Sequence, residues 1–408
     1  MIIMKSYLNK FIGLIYTFFL SRNKNRREIN NDKYLLIICG HMGNAILIID
    51  GLMELINYCR DTGKELSIVC DPYMWKTLNN LQELKDVNYL ENVLADNARF
   101  FIGNLTRMHK LVKGLEYEKI ITSLPINNVD HFLAITIPCK ENWCIKDDIE
   151  RIRSMRTIGF GFIEKCYSNM VVSNVDMHET QRYKKLFMSV GVNDYQTSIH
   201  DLRGTLRTQN SKYIPSNKYI TIALDSMNPN RKWRLEKYSL LIEKLLQKYS
   251  YDIVLTGTNV NEIEFEKCIK VKFSNNERVI DLVGKTKFYE WLYILSKAEF
   301  HIGVDSGSIH FATSSGAQAY CITGVWDGHR VFPYHCDTLP EGLHEPICIY
   351  RTDLDYEKLP CYACKVRGTE FGTLNKACKK ACKKGYPCEC LENITVDDVI
   401  ECLDANYR

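Results

Sequence analysis

Phe300-His301-Ile302-Gly303-Val304-Asp305-Ser306-Gly307-Ser308-Ile309-His310 reads as a strand, a small-residue turn and the opening of a helix. Phe300 to Val304 is apolar enough to lie inside a sheet covered on both faces. The helix opens near Ser308. A strand that runs through a tight turn into a helix is the repeating joint of a doubly wound α/β sheet. In such sheets ligands bind outside the carboxyl ends of the strands. The turn at Asp305 to His310 is therefore also the first candidate site. Small residues there let a phosphate approach the backbone, and the N–H groups and dipole of the helix N-terminus attract it. Ser306 and Ser308 add hydroxyl donors, and Asp305 can brace the turn.

The same alternation extends to both sides. Upstream, strands are expected at Lys218–Leu224, Tyr251–Thr256 and Arg278–Leu282, with helices at Leu235–Tyr249, around Asn261–Lys270 and at Lys287–Ala298. Downstream, Gln318–Thr323 reads as the last strand. An earlier set begins with Tyr34–Cys39, a turn at Gly40–Asn44, a helix from Ala45 to Arg60 and a strand at Glu65–Cys70. That is a βαβ unit and implies a parallel sheet. Lys119–Thr122 and Arg156–Phe160 read as further strands, and His178–Val190 as a helix. Residues 200–217 are polar and turn-rich, as a linker between domains would be. The fold class is thus α/β with two Rossmann-like doubly wound domains. A length of 408 residues suits two such domains better than one. The expected division is an apolar and basic segment at 1–33, a first domain at 34–205, a second at 206–335 and a cysteine-rich tail with a final helix at 336–408.

Composition narrows the function classes. A net charge of +4 supplies no bulk attraction to nucleic acid, so an anionic ligand must be held locally. Seventeen cysteines, an odd number, include Cys39, Cys70, Cys166, Cys268 and Cys321 within apolar stretches. They read as reduced thiols and not as a disulfide framework. Leu8 to Leu20 is apolar but interrupted by Asn9 and Lys10, and Arg22, Lys24, Arg26 and Arg27 follow it. The run is shorter than the ~20 apolar residues of a spanning helix. Two readings stay open: an interfacial helix with a basic flank on anionic lipid, or a helix packed on the protein itself.

Two further motifs stand at carboxyl ends of strands. Asn230-Arg231-Lys232-Trp233 follows the first strand of the second domain. Its cations suit a diphosphate leaving group, Arg231 through a bidentate fork and Lys232 as a point charge. Gly40-His41-Met42-Gly43-Asn44 allows close approach at the first domain, although it lacks the third glycine of a dinucleotide fingerprint.

In this order and spacing the motifs resemble glycosyltransferase family 9, the heptosyltransferase family of lipopolysaccharide core assembly. The resemblance covers roughly residues 34–335 and continues into the final helix. It rests on Gly40–Asn44, His178 to Arg182, Arg231-Lys232-Trp233, Thr256-Gly257, Gly284-Lys285-Thr286, Gly324 to Asp327 and, most specifically, Asp305 to His310. It implies the GT-B architecture, two Rossmann-like domains facing across a cleft. The second would hold an ADP-sugar donor and the first an acceptor, with inversion and no catalytic metal. It implies donor contacts from Arg231, Lys232, Thr256, Gly257, Asp305, Ser306, Gly307, Ser308 and His310, with Glu262 toward the ribose. Gly40, Gly43, Asp130 and His131 would lie on the acceptor side, and the final helix would return to the first domain. The partners implied are a nucleotide sugar and a lipid-linked saccharide at the inner face of the cytoplasmic membrane.

One position departs from the family. The proposed general base is an acid after the second glycine, and here it is Asn44, an amide that takes no proton at neutral pH. Asp50, six residues on, would lie ~9 Å along the helix. His41 in the turn is the favoured substitute, with Asp130 and His131 as others. Asn44 also suits a helix cap. Two alternatives to heptosyl transfer follow: a GT-B transferase or epimerase using another nucleotide sugar, and a nucleotide-sugar-binding protein that has lost its base. In the tail, Cys361, Cys364, Cys378 and Cys382 have the spacing of a structural zinc site, against reduced thiols or a disulfide clip. Thr395 to Asp398 reads as a capping box for the final helix.

Overall fold

A computed structural model describes residues 2–22, 29, 31–40, 42–79, 81, 84–94, 100–123, 128–147, 160–174, 177–207, 209–227, 231–258, 260–324, 330–350 and 389–407. It divides into two units, Met1–Thr197 and Ser198–Arg408. The residues expected to link the domains belong to the second unit, because Leu202 N–H donates to the Ser314 carbonyl (2.8 Å) and Arg203 is held on the Glu341 carbonyl (2.6 Å).

The first unit begins with α1 (Ile2–Arg22). It continues through β1 (Lys33–Ile37), α2 (Met42–Asp61), β2 (Glu65–Val69), α3 (Pro72–Leu78), β3 (Asn88–Tyr89), α4 (Ile102–Leu111) and β4 (Tyr117–Thr122). It ends with α5 (Asn128–Thr136), β5 (Cys139–Asp147), α6 (Phe160–Lys165), β6 (Asn169–Ser173) and α7 (Glu179–Ser189). Its six strands are all parallel, in the order β3-β2-β1-β4-β5-β6. Leu35, Ile37, Ile120, Phe132 and Leu133 sit in its core. Helix α2 meets α7 at Gly51, where a Cβ would come within 2.6 Å of the Tyr195 hydroxyl. The expected strand at 156–160 falls mostly outside the described residues, and its last residue, Phe160, opens α6 instead. The expected set of strands lacked β5, whose alternation of Lys140, Glu141 and Lys146 with buried residues hides a half-covered strand.

The second unit runs through α8 (Arg203–Leu206), β7 (Tyr219–Ala223), α9 (Leu235–Lys248), β8 (Asp252–Thr256), α10 (Glu262–Phe265), a π turn (Glu266–Lys270) and α11 (Val271–Phe273). Then come β9 (Val279–Asp281), α12 (Phe288–Ser296), β10 (Phe300–Val304), α13 (Gly307–Ser314), β11 (Gln318–Ile322), β12 (Ile347–Ile349), α14 (Glu389–Glu392) and α15 (Val396–Asn406). The sheet is parallel, in the order β12-β11-β10-β7-β8-β9. Strands β7, β8 and β10 are buried at every residue, as continuous apolar central strands should be. Helix α9 buries Leu235, Tyr238, Leu241, Ile242 and Leu245, one stripe at helical spacing.

One expectation needs correction. Gln318–Ile322 is not the last strand, because β12 adds to its edge through Tyr320↔Ile347 to Ile322↔Ile349. The final helix α15 packs on α9 and β12 of the second unit, where Lys244 pairs with Asp397, Lys248 with Asp404, and the Tyr407 hydroxyl donates to Glu299 (3.0 Å). Apposed lysines on α9 and acids on α15 account for this choice of partner. The capping box is present: Thr395 Oγ1 accepts from Asp398 N–H (3.1 Å) and Asp398 from Thr395 N–H (2.6 Å).

Candidate functional site

In each sheet the strand order reverses once, between β1 and β4 and between β7 and β10. The loops leaving those strands part there in opposite directions, and the crevice they leave is where doubly wound folds bind ligands. In the second unit, the carboxyl end of β10 carries Asp305, Ser306 is the N-cap of α13, and Gly307 is its first residue. The Ser306 side chain accepts from Ser308 N–H (3.4 Å), and the two hydroxyls lie 3.0 Å apart. Gly303 makes this packing possible, since a Cβ there would lie 3.0 Å from Ser308 Oγ.

Arg231, on the loop after β7, reaches across the reversal to Asp305. Its Nη1 donates to Asp305 Oδ1 (2.8 Å), and the two side chains are 17% and 4% exposed. A lone carboxylate at a phosphate-binding turn would repel the ligand. The guanidinium cancels that charge while keeping further N–H donors. The rim continues along β8 and β9. Asp225, just after β7, accepts from Thr258 N–H (3.2 Å), and Gly257 at φ +152° leaves its carboxylate room. Gly284 N–H donates to the Gly257 carbonyl (2.9 Å), and Lys285 folds back onto Asp281 (2.7 Å).

The donor-side residues therefore sort by position. Arg231, Asp305, Ser306, Gly307 and Ser308 converge at the reversal. His310 is buried, hydrogen-bonded to the Tyr334 hydroxyl (2.8 Å) and stacked on Phe332 (4.4 Å), so it braces α13 from behind. Thr256 is buried against the Ile222 carbonyl (3.4 Å). Glu262 is exposed at the first residue of α10. Lys232 is half-buried beside Arg231. Trp233 is buried and its indole N–H donates to the Ile394 carbonyl (3.1 Å). Sequence reasoning missed Asp225, whose signal was an acid directly after a buried strand, and missed the Trp233–Ile394 anchor, which joins positions remote in the chain.

In the first unit the loops at the reversal are joined by neutral groups. Cys39 N–H donates to Ser123 Oγ (2.8 Å), and Ser123 N–H to the Ile37 carbonyl (3.0 Å). Gly40 turns at φ +109°, and a Cβ there would lie 2.8 Å from Asn44 Oδ1. Gly43 and Asn44 lie in the first turn of α2, with Asn44 beside the buried Tyr183 hydroxyl. His41 lies outside the described residues. Asp130 stands half-buried in the first turn of α5, after β4. The Cys39 thiol is pushed well up, first by burial and then by the negative charge of Asp130, so that carboxylate lies close to the turn. His131 is held as a neutral imidazole. It is buried, bonded to the Tyr167 hydroxyl (3.0 Å), and burial pushes its pKa down to about 4. His178 and Arg182 are also buried: His178 caps α7 by accepting from Thr180 N–H (3.3 Å), and Arg182, against Glu179 (3.5 Å) and the Asn174 carbonyl (3.2 Å), braces the end of β6.

Among the described residues, Cys39, Cys70 and Cys321 are buried free thiols, Cys166 and Cys268 are partly buried, and no group of three His, Cys, Asp or Glu stands ready to hold a metal. Cys361, Cys364, Cys378 and Cys382 lie outside the described residues.

Residues 161–335 match the model of glycosyltransferase family 9 (heptosyltransferase). A curated relative, lipopolysaccharide heptosyltransferase 3 of Escherichia coli K12, is 22% identical over 262 residues, 62% of this chain and 72% of its own. A family 9 glycosyltransferase from Veillonella parvula superposes with a TM-score of 0.60 at 14% identity, covering 92% of this chain and 97% of its own. The E. coli heptosyltransferase WaaC solved with ADP gives 0.55 at 14%, covering 92% and 100%. The motif resemblance and the GT-B fold class both hold, and the chain is a glycosyltransferase whose residues 161–335 are similar to family 9.

Proposed function

We propose that this glycosyltransferase moves heptose from ADP-heptose to a lipid-linked saccharide, with inversion and without a catalytic metal, at the inner face of the cytoplasmic membrane. The observation that carries the donor side is the Arg231–Asp305 pair spanning the reversal of the second sheet, directly before the N-cap Ser306. Negative charge growing on the leaving ADP meets the N–H groups of α13, the Ser306 and Ser308 hydroxyls and the outer edge of Arg231. Lys232 adds a second cation, and Glu262 is the candidate ribose partner. The ADP bound to WaaC and the heptosyltransferase relative support the choice of donor.

On the acceptor side Asn44 cannot deprotonate a hydroxyl, and Asp130, in the first turn of the helix after β4, is a carboxylate whose charge reaches Cys39 at the end of β1. Asp130 is proposed as the proton acceptor, with His41 as its competitor. If neither serves, the chain binds nucleotide sugar without turning it over, and Asn44→Asp restores turnover.

The donor reading is tested by calorimetric titration of ADP-heptose. Arg231→Ala with Ser308→Ala is expected to weaken binding about 100-fold, the loss of one charge-assisted and one neutral hydrogen bond to the diphosphate. Unchanged affinity would move the donor elsewhere.

A further inference from the structure

Among the described side chains of α1, residues 10–22, packing contacts and exposed apolar groups lie on different sides. Tyr16 stacks on Phe132 (6.4 Å, 16°), Phe18 meets Phe162 (5.3 Å), and Gly13 lies so close to Phe100 that a Cβ would come within 2.9 Å. Thr17 is buried and donates to the Gly13 carbonyl (2.7 Å). These contacts fix α1 on α4 and α5. The opposite side carries Phe11, Ile12, Ile15 and Phe19, exposed by 58%, 39%, 41% and 60%. Their spacing of one, three and four residues places them on one stripe. Clustered apolar side chains on a surface mark a partner, where single ones do not.

The charge around the stripe says which partner. Residues 2–22 contain no acid, and Lys5, Lys10 and Arg22 are their only charges. Arg22 is exposed, with its guanidinium over the Phe18 ring (4.8 Å). Lys24, Arg26 and Arg27 follow in the sequence. An apolar stripe edged only by cations complements a surface that is apolar inside and anionic outside. Among the described residues no helix is long and apolar enough to cross a membrane.

We propose that the outer stripe of α1 is a docking surface for an anionic lipid bilayer. Phe11, Ile12, Ile15 and Phe19 enter the headgroup–acyl boundary while Lys10 and Arg22 meet lipid phosphates. Both earlier readings of this segment then hold, one for each side of the helix. The surface deepens the proposed acceptor, which is met at a bilayer, yet vesicle binding needs neither donor nor acceptor.

The test is co-sedimentation of the full chain with phosphatidylcholine vesicles, with and without phosphatidylglycerol. Sedimentation is expected only with the anionic vesicles, and to weaken with salt. Phe11→Ser with Phe19→Ser is expected to lower binding at least about tenfold with an unchanged melting temperature, because both rings are already in water. Arg22→Glu costs roughly fivefold or more. Leu240→Ser, at an exposed leucine of α9, leaves binding unchanged. Equal binding to neutral vesicles, or binding that survives the double serine variant, overturns the proposal. So does a wild-type dimer that the double variant dissolves, which would make the stripe an interface between copies. Vesicle binding that persists where ADP-heptose does not bind would fault the donor reading alone.

Discussion

The two sheets repeat one strand order, but the loops at their two reversals carry different chemistry. In the second unit Arg231 and Asp305 bridge the reversal with opposite charges beside a serine-capped helix. In the first, Cys39 N–H and Ser123 Oγ bridge it without formal charge, and Asn44 lies in the first turn of the following helix. Topology places a crevice in both, and side chains decide what each accepts. The charged reversal suits an anion. The uncharged one suits a neutral hydroxyl compound, with Asp130 as its proposed proton acceptor.

The sharpest way to break this contrast is at the proton acceptor. Asp130→Asn is expected to lower turnover by about 10²-fold or more, with His41→Ala changing it far less. A loss of turnover in His41→Ala that Asp130→Asn does not share would instead assign the role to His41. Restoration of turnover by Asn44→Asp alone would show that neither residue serves.

Next is the charged bridge. Asp305→Asn leaves Arg231 mostly buried beside an amide. The second unit should lose about 3 kcal/mol, readable by denaturant unfolding. A loss no larger than that of an exposed pair would mean that the bridge is not a preformed part of the site.

Each unit also holds a buried histidine whose pKa lies below its ordinary value, and both depressions come from burial. His131 falls to about 4 and His301, bonded to Thr221 Oγ1 (2.9 Å), to about 3. The unfolded chain binds protons at about 6.5, where the folded units do not. The stability they contribute is thus full above pH 6.5 and is lost as pH falls toward 4 and 3. The slope should approach about 1.4 kcal/mol per pH unit for each histidine. His131→Asn should flatten it for the first unit and His301→Asn for the second. A slope untouched by either change would place the acid sensitivity elsewhere.

The smallest effect belongs to the outer rim. Lys285→Ala breaks a half-exposed pair with Asp281 and should cost under about 1 kcal/mol. ADP-heptose affinity should stay within about twofold.

Much of this was legible in the sequence because it is local. A strand, a small-residue turn and a helix within Phe300 to His310 specify their own geometry, and the Thr395–Asp398 box its own helix start. What was not legible depends on partners far along the chain. His310 follows the donor turn by two residues, yet Tyr334 and Phe332 draw it inward. The packing of the final helix on α9 depends on charges paired across more than 150 residues. β12 pairs with β11 only after an intervening stretch without strand periodicity. The deeper burial of His131 than of its neighbour Asp130 was equally hidden, since it depends on Tyr167.

The Trp233 anchor has a consequence for how the protein is made. The loop carrying Arg231 is pinned to the Ile394 carbonyl, 161 residues further on. A ribosome adds roughly 5–20 residues each second, so the sheet of the second unit is synthesised several seconds before residue 394. Throughout that interval the nascent chain has its strands but not the clasp on the Arg231 loop. The proposed donor site is complete only when the segment that closes on Trp233 emerges.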